Sequence, residues 1–408
     1  MGVTRGLLYA AVLVVFLGLY ARPRFPEPAN NVWLKTIVGL HIQLIHYVSV
    51  GGGLVGLSPI NITRTMTDVS LLLNRPAWDV QEERTTMDGV EVIIFRSVDA
   101  GEGRHPGIIH IHGGGWALLS PDHYGPVCRE LARETKAVVI SINYRLAPEH
   151  LFPVPLEDCL KVTKYFLRNA EQYDVDPGRV GLKGDSAGGN LAMAVALNLS
   201  RDGQLPSLRA LSLDYPAIQM FTFDLPSYHK YEVGPGFLTK TIMINYWLTY
   251  IYGHRKYFNI VYNRDHIDEQ TVAKHRDNFA TDLLPPFIRD ENVTSSFKMR
   301  DDYKQDKEQI QREITAKILN PMLAPLMSSD EDLATLPPTH VLTTEFDALR
   351  DEGFLLVERM RRAGVSVSHS YLPAEEHGFL NFVDIDVNAE REMEKTAQFF
   401  IKCFETQT

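Results

Sequence analysis

Short apolar runs alternate with amphipathic stretches along most of the chain after residue 87. Continuous apolar runs predict strands, and apolar residues at helical spacing predict helices. In the first half of this region we predict strands at 90–95, 107–111, 137–143, 180–183 and 209–215, and helices at 156–169 and 191–199. Because continuous apolar strands are buried on both faces, the alternation indicates an α/β fold with a mostly parallel central sheet and helices on both faces.

The alternation stops between about residues 220 and 335, where aromatic residues and a highly charged stretch at 300–312 take its place. Strand and helix patterns then return, and the segments are 340–345, 353–363, 365–371 and 388–403. We therefore expect one α/β domain over residues 87–408 that carries a cap insertion at 220–335.

The N-terminus combines a short flank, residues 1–5, with an uncharged apolar stretch, residues 6–21, that has arginine on both sides. The stretch is shorter than the ~20 residues of a typical spanning helix, but the bilayer of the endoplasmic reticulum is thinner than average. A cleaved signal peptide is the alternative, although residues 19–23 contain no small-x-small cleavage site. We expect a single transmembrane signal-anchor at 6–21, whose orientation the flanking charges do not decide.

Residues 22–86 are expected to form a linker and N-terminal cap helices. Apolar residues recur here at helical spacing, at Leu34, Val38, Ile42 and Ile45. Because His41 and Gln43 interrupt the apolar run, we expect an amphipathic helix that covers the core or lies against the membrane surface, rather than a second span.

A glycine-rich segment at 51–56 matches the pattern G-x-G-x-x-G. That pattern binds a nucleotide only where a helix follows directly inside a βαβ unit. Ser58-Pro59 prevents such a helix, so we expect a flexible turn there.

Charge and cysteine content exclude several classes of protein. The net charge is −10 and the basic residues are scattered, which argues against nucleic-acid binding. There are three cysteines, Cys128, Cys159 and Cys403, and they form no C-x-x-C pair. We therefore expect neither a disulfide framework nor a structural zinc site, although the sequence leaves open a single disulfide between two of them.

Three N-x-S/T triplets begin at Asn61, Asn198 and Asn292. Asn198 falls in a predicted helix, which leaves Asn61 and Asn292 as the candidates for glycosylation. The triplets favour a luminal catalytic domain.

The segment Gly184-Asp185-Ser186-Ala187-Gly188 matches G-x-S-x-G between a predicted strand and a predicted helix. This is the context of a nucleophile elbow, in which a sharp turn exposes the serine hydroxyl. Small residues at 184 and 188 would let neighbouring backbone approach closely. We predict that Ser186 is a nucleophile; a glycine-rich helix cap is the alternative.

A second motif, His112 followed by Gly113, Gly114 and Gly115, comes directly after a predicted strand. Successive glycines expose backbone N–H groups that can stabilise an oxyanion. We predict an oxyanion hole formed by the Ala187 N–H and this loop, with Gly114 and Gly115 favoured and Gly113 left open. His112 itself is expected to support the loop.

A serine nucleophile needs a general base and a carboxylate, which follow it in the order acid, then histidine, in such folds. His377 lies in a predicted turn after 365–371, whereas His369 lies within that strand. Asp347 lies just past a predicted strand end, and Asp351 is the alternative in the next helix. Since sites in open α/β sheets lie at strand ends, we predict Ser186, Asp347 and His377 as a triad.

These motifs, together with residues 144–149, resemble those of the hormone-sensitive-lipase-like carboxylesterases. With the N-terminal anchor, the chain resembles in particular the arylacetamide deacetylase and neutral cholesterol ester hydrolase group. The resemblance implies an α/β-hydrolase fold and a single-pass protein of the endoplasmic reticulum membrane with a luminal catalytic domain. It further implies hydrolysis of lipid esters or aryl acetamides.

We therefore expect a serine esterase that forms an acyl-enzyme with a small hydrophobic ester or amide. Neither a metal nor a cofactor is expected, and no obligate protein partner is evident. The alternative is a hydrolase-fold protein that has lost activity and only binds ligands, since a fold alone does not define an activity.

Overall fold

The computed structural model describes residues 30–74, 76–232, 237–291 and 298–406. The expected flank at 1–5, the expected anchor at 6–21 and Asn292 lie outside these residues. The strands are β1 (Val80–Met87), β2 (Val90–Ser97), β3 (His105–Ile111), β4 (Val138–Ile142), β5 (Val175–Asp185), β6 (Ala210–Asp214), β7 (Thr339–Phe346) and β8 (Val367–Glu376).

The helices include two N-terminal ones, α1 (Val32–Leu54) and α2 (Pro59–Thr67). Those that alternate with strands are α3 (Gly125–Thr135), α4 (Val154–Asn169), α5 (Ala187–Leu199), α13 (Arg350–Arg362) and α14 (Val387–Glu405). Those between β6 and β7 are α6 (Pro226–Lys230), α7 (Lys240–Tyr252), α8 (Phe258–Tyr262), α9 (Glu269–His275), α10 (Pro286–Arg289), α11 (Lys307–Ile318) and α12 (Asp330–Leu333).

One eight-stranded sheet organises the molecule, in the order β1-β2-β4-β3-β5-β6-β7-β8. The pairs β1–β2 and β2–β4 are antiparallel, and the other neighbours are parallel, as predicted. β1 was missed, because its solvent-facing polar residues break the apolar run. Since the sheet begins at Val80, the domain boundary expected at residue 87 is wrong and falls at the end of the first strand.

Both faces of the sheet are covered by helices, as the continuous apolar strands predicted. On one face, side chains of α4, α5 and α13 such as Phe166, Leu191 and Met360 are fully buried in the larger core. On the other face, α3 and α14 contribute Leu131 and Phe400 to a second core. The sheet is therefore rigid, and the loops at its carboxyl edge have fixed positions.

The N-terminal helix α1 confirms the helical spacing seen in the sequence but is longer than the pattern indicated. Leu34 and Ile45 are buried against the body of the protein. Residues 51–54, expected as a turn, form the last turn of this helix, so that expectation is wrong. Gly52 lets α2 approach closely, because a Cβ there would lie 2.2 Å from Ile62 Cδ1.

By length and composition, α1 could cross a membrane, although His41 and Gln43 interrupt its apolar run. The three cysteines are free. The long insertion between Asp214 and Thr339 consists of short helices joined by loops.

Candidate active site

The turn that holds Ser186 joins β5 to α5. Ser186 has φ 53° and ψ −121°, a strained conformation for a residue with a side chain. A Cβ on Gly184 would lie 2.3 Å from Gly188 O, and one on Gly188 would lie 2.1 Å from Ile111 O. Both positions therefore require glycine, and the turn has the geometry of a nucleophile elbow.

Ser186, His377 and Asp347 form one hydrogen-bonded chain. The Ser186 Oγ and His377 Nε2 atoms are 2.8 Å apart, and His377 Nδ1 is 2.8 Å from Asp347 Oδ2. Because an ionised carboxylate only accepts hydrogen bonds, Nδ1 carries the proton and Nε2 is free to accept one from the serine. The structure thus brings the three sequence-predicted residues together.

Strand register explains why residues so far apart in sequence meet. In β7 and β8, Phe346 pairs with Glu376, so Asp347 and His377 leave the sheet side by side. The Leu349 N–H donates to Asp347 Oδ1 at 2.8 Å and fixes the carboxylate. The alternative acid, Asp351, is used elsewhere, because its carboxylate accepts from Arg350 and from the Ser227 N–H.

Two other histidines occupy structural positions. His369 lies within β8 with Nε2 2.9 Å from Thr343 Oγ1. His112 is fully buried, donates from Nδ1 to Gly113 O at 2.7 Å and stacks on Tyr144 with ring centroids 4.3 Å apart. Burial lowers the pKa of His112 to about 4, so it is neutral at physiological pH. His112 therefore supports the glycine loop, as expected.

The glycine loop offers two backbone donors beside Ser186. Gly114 and Gly115 have φ values of 106° and 61°. Within the described ranges, neither their N–H groups nor that of Ala187, the first residue of α5, donates a hydrogen bond. These three groups can therefore stabilise an oxyanion.

Gly113, in contrast, is not available as a donor, and its inclusion among the oxyanion candidates is wrong. Its N–H already donates to Asp185 Oδ1 at 2.9 Å and contacts the Tyr124 hydroxyl oxygen at 3.1 Å. The Tyr124 O–H donates to Asp185 Oδ2 at 2.8 Å. Burial raises the pKa of Asp185 to about 6. Asp185 thus links the elbow to the loop, a supporting role consistent with its place in the motif.

Sequence reasoning missed three tyrosines around the site. Tyr124 is the partner of Asp185, and Tyr215 packs against the His377 ring with centroids 4.7 Å apart. Tyr246 of α7 lies over the glycine loop, where a Cβ on Gly115 would come within 2.3 Å of its ring. Tyr215 directly follows β6, and this strand-end position was the only signal that could have revealed it.

A buried lysine from α1 holds the segment that precedes His377. Lys35 Nζ donates to Ala374 O at 2.8 Å and to Glu375 Oε2 at 2.7 Å, and it also pairs with Glu376. Lys35 is 2% exposed. Burial raises the pKa of Glu376 to about 7, although Lys35 acts in the opposite direction. The N-terminal helix therefore contacts the active site through its inner face.

The insertion is fixed to the loop that carries the acid. Glu345, two residues before Asp347, accepts from the Tyr231 O–H at 2.7 Å and from Arg350 Nη1 at 2.9 Å, and Lys230 also pairs with it. Although burial opposes it, these partners lower the pKa of Glu345 to about 2. Ion pairs and hydrogen bonds thus join the insertion to the loop that carries Asp347.

Two of the three N-x-S/T triplets lie in the described residues, and their asparagines differ in exposure. Asn61 is exposed in the first turn of α2, whereas Asn198 is half-buried in α5. Asn61 is therefore the described position that an oligosaccharide could occupy without moving the protein.

Comparisons with known proteins identify the family of the chain. A family profile described as α/β-hydrolase fold matches residues 108–273 and 287–381. The chain is 33% identical to arylacetamide deacetylase from Bos taurus, over 91% of this chain and 93% of that protein. It is 34% identical to neutral cholesterol ester hydrolase 1 from Bos taurus, over 92% of this chain and 93% of that protein.

Solved esterase structures are also similar. An esterase from Pyrobaculum calidifontis has a TM-score of 0.62 and 27% identity, covering 84% of this chain and 92% of that one. A thermostable esterase from Pseudomonas putida has a TM-score of 0.65 and 22% identity, covering 90% of this chain and 97% of that one, and this likeness concerns the fold alone.

Proposed function

The chain belongs to the α/β-hydrolase family that contains arylacetamide deacetylase and neutral cholesterol ester hydrolase, and we propose that it is a membrane-anchored serine carboxylesterase. The observation that carries the proposal is the pair of 2.8 Å contacts that joins Ser186 Oγ to His377 and His377 to Asp347. Unpaired N–H groups beside the same serine supply the second requirement of ester hydrolysis, a site for the oxyanion.

In the first half of the reaction, His377 Nε2 removes the proton from Ser186 Oγ as the oxygen attacks the ester carbonyl carbon. Asp347 accepts the hydrogen bond from Nδ1 and stabilises the imidazolium that forms. The carbonyl oxygen becomes an oxyanion held by the Gly114, Gly115 and Ala187 N–H groups. His377 then donates its proton to the departing alcohol, and the acyl group remains on Ser186.

In the second half, a water molecule attacks the acyl-enzyme. His377 takes a proton from the water, the oxyanion forms again in the same place, and the C–O bond to Ser186 breaks. The carboxylic acid leaves and Ser186 recovers its proton. The chain's own residues perform every step of this cycle.

We propose that the substrate is a hydrophobic ester, or an aryl acetamide of the kind named for one relative. Half-buried Tyr246 lies against Gly115 of the oxyanion loop. Behind it, fully buried Trp116 stacks on Tyr250 and contacts Trp247, with ring centroids 4.5 and 4.4 Å apart, so the environment of the loop is apolar. Such apolar surroundings favour an apolar substrate and exclude water from the charges that form during the reaction.

We also propose that residues 6–21 anchor the protein in the endoplasmic reticulum membrane with the catalytic domain in the lumen. The uncharged sequence of that segment supports the anchor, and the resemblance to the family together with the N-x-S/T triplets supports the luminal orientation. Attachment of an oligosaccharide to exposed Asn61 would report it. We expect a mobility shift after endoglycosidase treatment of the wild type that is smaller in Asn61→Gln and absent in Asn61→Gln/Asn292→Gln. A protein that carries no sugar and is digested by proteases in sealed microsomes would have the opposite orientation.

The activity is tested by hydrolysis of p-nitrophenyl esters from acetyl to palmitoyl. We expect the wild type to cleave part of the series and Ser186→Ala to lose about three orders of magnitude or more. The acyl chain length that is hydrolysed fastest indicates the size of the acyl pocket. A wild type that binds these esters but cleaves none of them would instead be the silent ligand-binding protein.

A further inference from the structure

The helix α1 exposes apolar side chains to the outside of the molecule. Trp33, Ile37, Tyr47 and Leu54 are 67%, 58%, 65% and 85% exposed. Leu44 and Val48, between them, are also exposed. Water-facing helix surfaces normally carry charged or polar residues, so this face lacks its expected partner.

These side chains form a single stripe. Residues 33, 37, 44 and 48 follow one another at intervals of four or seven, and residues 47 and 54 lie beside them, so all six are on one side of the helix. The opposite side contains Leu34, Lys35, Ile45 and Ser49, all buried against the protein. The stripe carries no Asp, Glu, Lys or Arg, because Lys35 is the sole charged residue from 32 to 57. We call it the outer face of α1.

The inner face prevents α1 from crossing a membrane, although its length and composition would allow it. Lys35 in the first turn is paired with Glu375 and Glu376 inside the protein. Near the other end, Ser49 Oγ is 2.9 Å from Thr63 Oγ1 of α2. A spanning orientation would break these contacts and leave two carboxylates buried without their cation.

The sequence before α1 identifies what covers the outer face. The proposed anchor ends at Ala21, and ten residues separate it from Val32. At ~3.3–3.6 Å per residue, such a segment reaches at most about 35 Å, so the start of α1 lies within that distance of the bilayer surface. An uncharged apolar stripe with Trp and Tyr on it suits the boundary between headgroups and acyl chains.

We propose that the outer face of α1 lies in the membrane interface and docks the hydrolase body on the lipid surface. The proposal rests on the membrane anchor of the proposed function. Because the inner face of the same helix contacts Glu376, next to His377, docking also places the active site within one helix diameter of the bilayer. Apolar esters dissolved in the membrane can then reach Ser186 without crossing water.

Tryptophan quenching tests the proposal on the full chain. Trp116 and Trp247 are fully buried in the protein, whereas Trp33 and Trp78 are exposed. The chain is reconstituted into phosphatidylcholine vesicles with or without bromine on the acyl chains, which quenches tryptophan at short range. We expect brominated lipid to quench the wild type and Trp78→Phe, and to quench Trp33→Phe much less.

Two results would overturn the proposal. In the first, Trp33 is unaffected by brominated lipid but quenched by aqueous acrylamide, so the face is in water. In the second, neither agent reaches Trp33, so protein covers the face, as in a dimer of this chain. Release of the protein from vesicles by alkaline carbonate would instead contradict the membrane anchor. Absence of p-nitrophenyl acetate hydrolysis would contradict the esterase activity. Failure of the docking proposal can therefore be distinguished from failure of the anchor and from failure of the esterase.

Activity provides a second readout with a matched control. The variant Ile37→Glu/Leu44→Glu/Val48→Glu places charge on the outer face, and Val98→Glu/Val272→Glu/Ile385→Glu places the same charge on exposed apolar positions elsewhere. We expect the first variant to hydrolyse a long-chain ester in vesicles at least tenfold more slowly, with p-nitrophenyl acetate hydrolysis unchanged. Equal loss in both variants would contradict the proposal.

Discussion

The hydrolase body and its cover are built by different means. The body comprises the sheet and the helices α3, α4, α5, α13 and α14, and it places Ser186, Asp347 and His377 through strand register. The cover comprises α1, α2 and the insertion between β6 and β7. Apolar side chains of the insertion, such as Trp247, share the larger core with the body. The cover is also attached by ion pairs between residues far apart in sequence, such as Lys35–Glu375, Arg64–Glu149 and Lys230–Glu345.

This difference separates the roles of the two regions. Backbone geometry in the body fixes the reacting groups, whereas the cover packs over the loops that carry them. Lys35 and Tyr246 contradict a strict division, because both belong to the cover and both contact the catalytic loops. Substitutions on each side can measure how far the division holds.

The largest effect is expected within the body. His377→Ala removes the general base and should lower kcat/KM for p-nitrophenyl acetate by about 10⁴-fold. His369→Ala is the control, since His369 lies in β8, the strand that ends just before His377, but contacts Thr343 rather than Ser186. Comparable losses in the two variants would indicate a folding defect and not catalysis.

The next effect crosses the boundary between body and cover. Gly115→Ala introduces a Cβ 2.3 Å from the Tyr246 ring at a φ of 61°, which moves an oxyanion donor. We expect kcat to fall by about 10²–10³. The double variant Gly115→Ala/Tyr246→Ala should have a kcat about tenfold higher than Gly115→Ala, because the clash is removed while the backbone strain remains.

Gly101→Ala is the matched control for backbone strain. Gly101 has a φ of 83°, and a Cβ there would have no heavy atom within 4 Å. Its activity should equal that of the wild type. If Tyr246→Ala recovers nothing in the Gly115→Ala background, the cover does not constrain the oxyanion loop.

A smaller effect is expected from Lys35 in the cover. Lys35→Met removes the cation that holds Glu375 and Glu376, and the segment before His377 loses its position. We expect kcat to fall about tenfold with KM for p-nitrophenyl acetate unchanged, as for loss of a transition-state interaction. Lys35→Arg should restore most of kcat, and Lys136→Met, which breaks the exposed pair with Asp99, should have no effect.

The smallest effect concerns stability. Burial raises the pKa of Glu376 from its ordinary value of 4.5 to about 7. Between pH 4.5 and pH 7, Glu376 is therefore protonated in the folded protein and ionised in the unfolded chain. Wild-type stability should therefore decrease as pH rises through this window. The amide side chain of the variant Glu376→Gln does not titrate. The difference in the free energy of unfolding between wild type and variant should therefore change by about 1 kcal/mol per pH unit in this window. Urea unfolding from pH 4 to 8 measures it, and a constant difference would contradict the shift.

The sequence was most informative for the body. Continuous apolar strands predicted the sheet, and strand-end positions favoured Asp347 over Asp351 and His377 over His369. β1 was missed because its exposed polar residues hide the strand period. Gly113 was wrongly included among the oxyanion donors because its N–H already donates to Asp185, and only the folded turn brings Asp185 near it.

The cover could be predicted much less completely. The spacing of Leu34 and Ile45 gave the inner face of α1, but no local pattern pairs Lys35 with Glu375, 340 positions away. Tyr246 belongs to an aromatic segment whose sequence is equally compatible with ordinary packing. Contacts of this kind depend on the tertiary fold, and local spacing carries no information about them.

The most direct test of the account is covalent labelling by a serine-directed fluorophosphonate, with the modified residue mapped by peptide mass spectrometry. The account predicts one label per chain, on Ser186, lost together with esterase activity in Ser186→Ala and strongly slowed in His377→Ala. A label on another residue, or an active Ser186→Ala enzyme, would contradict the assignment of Ser186 as the nucleophile.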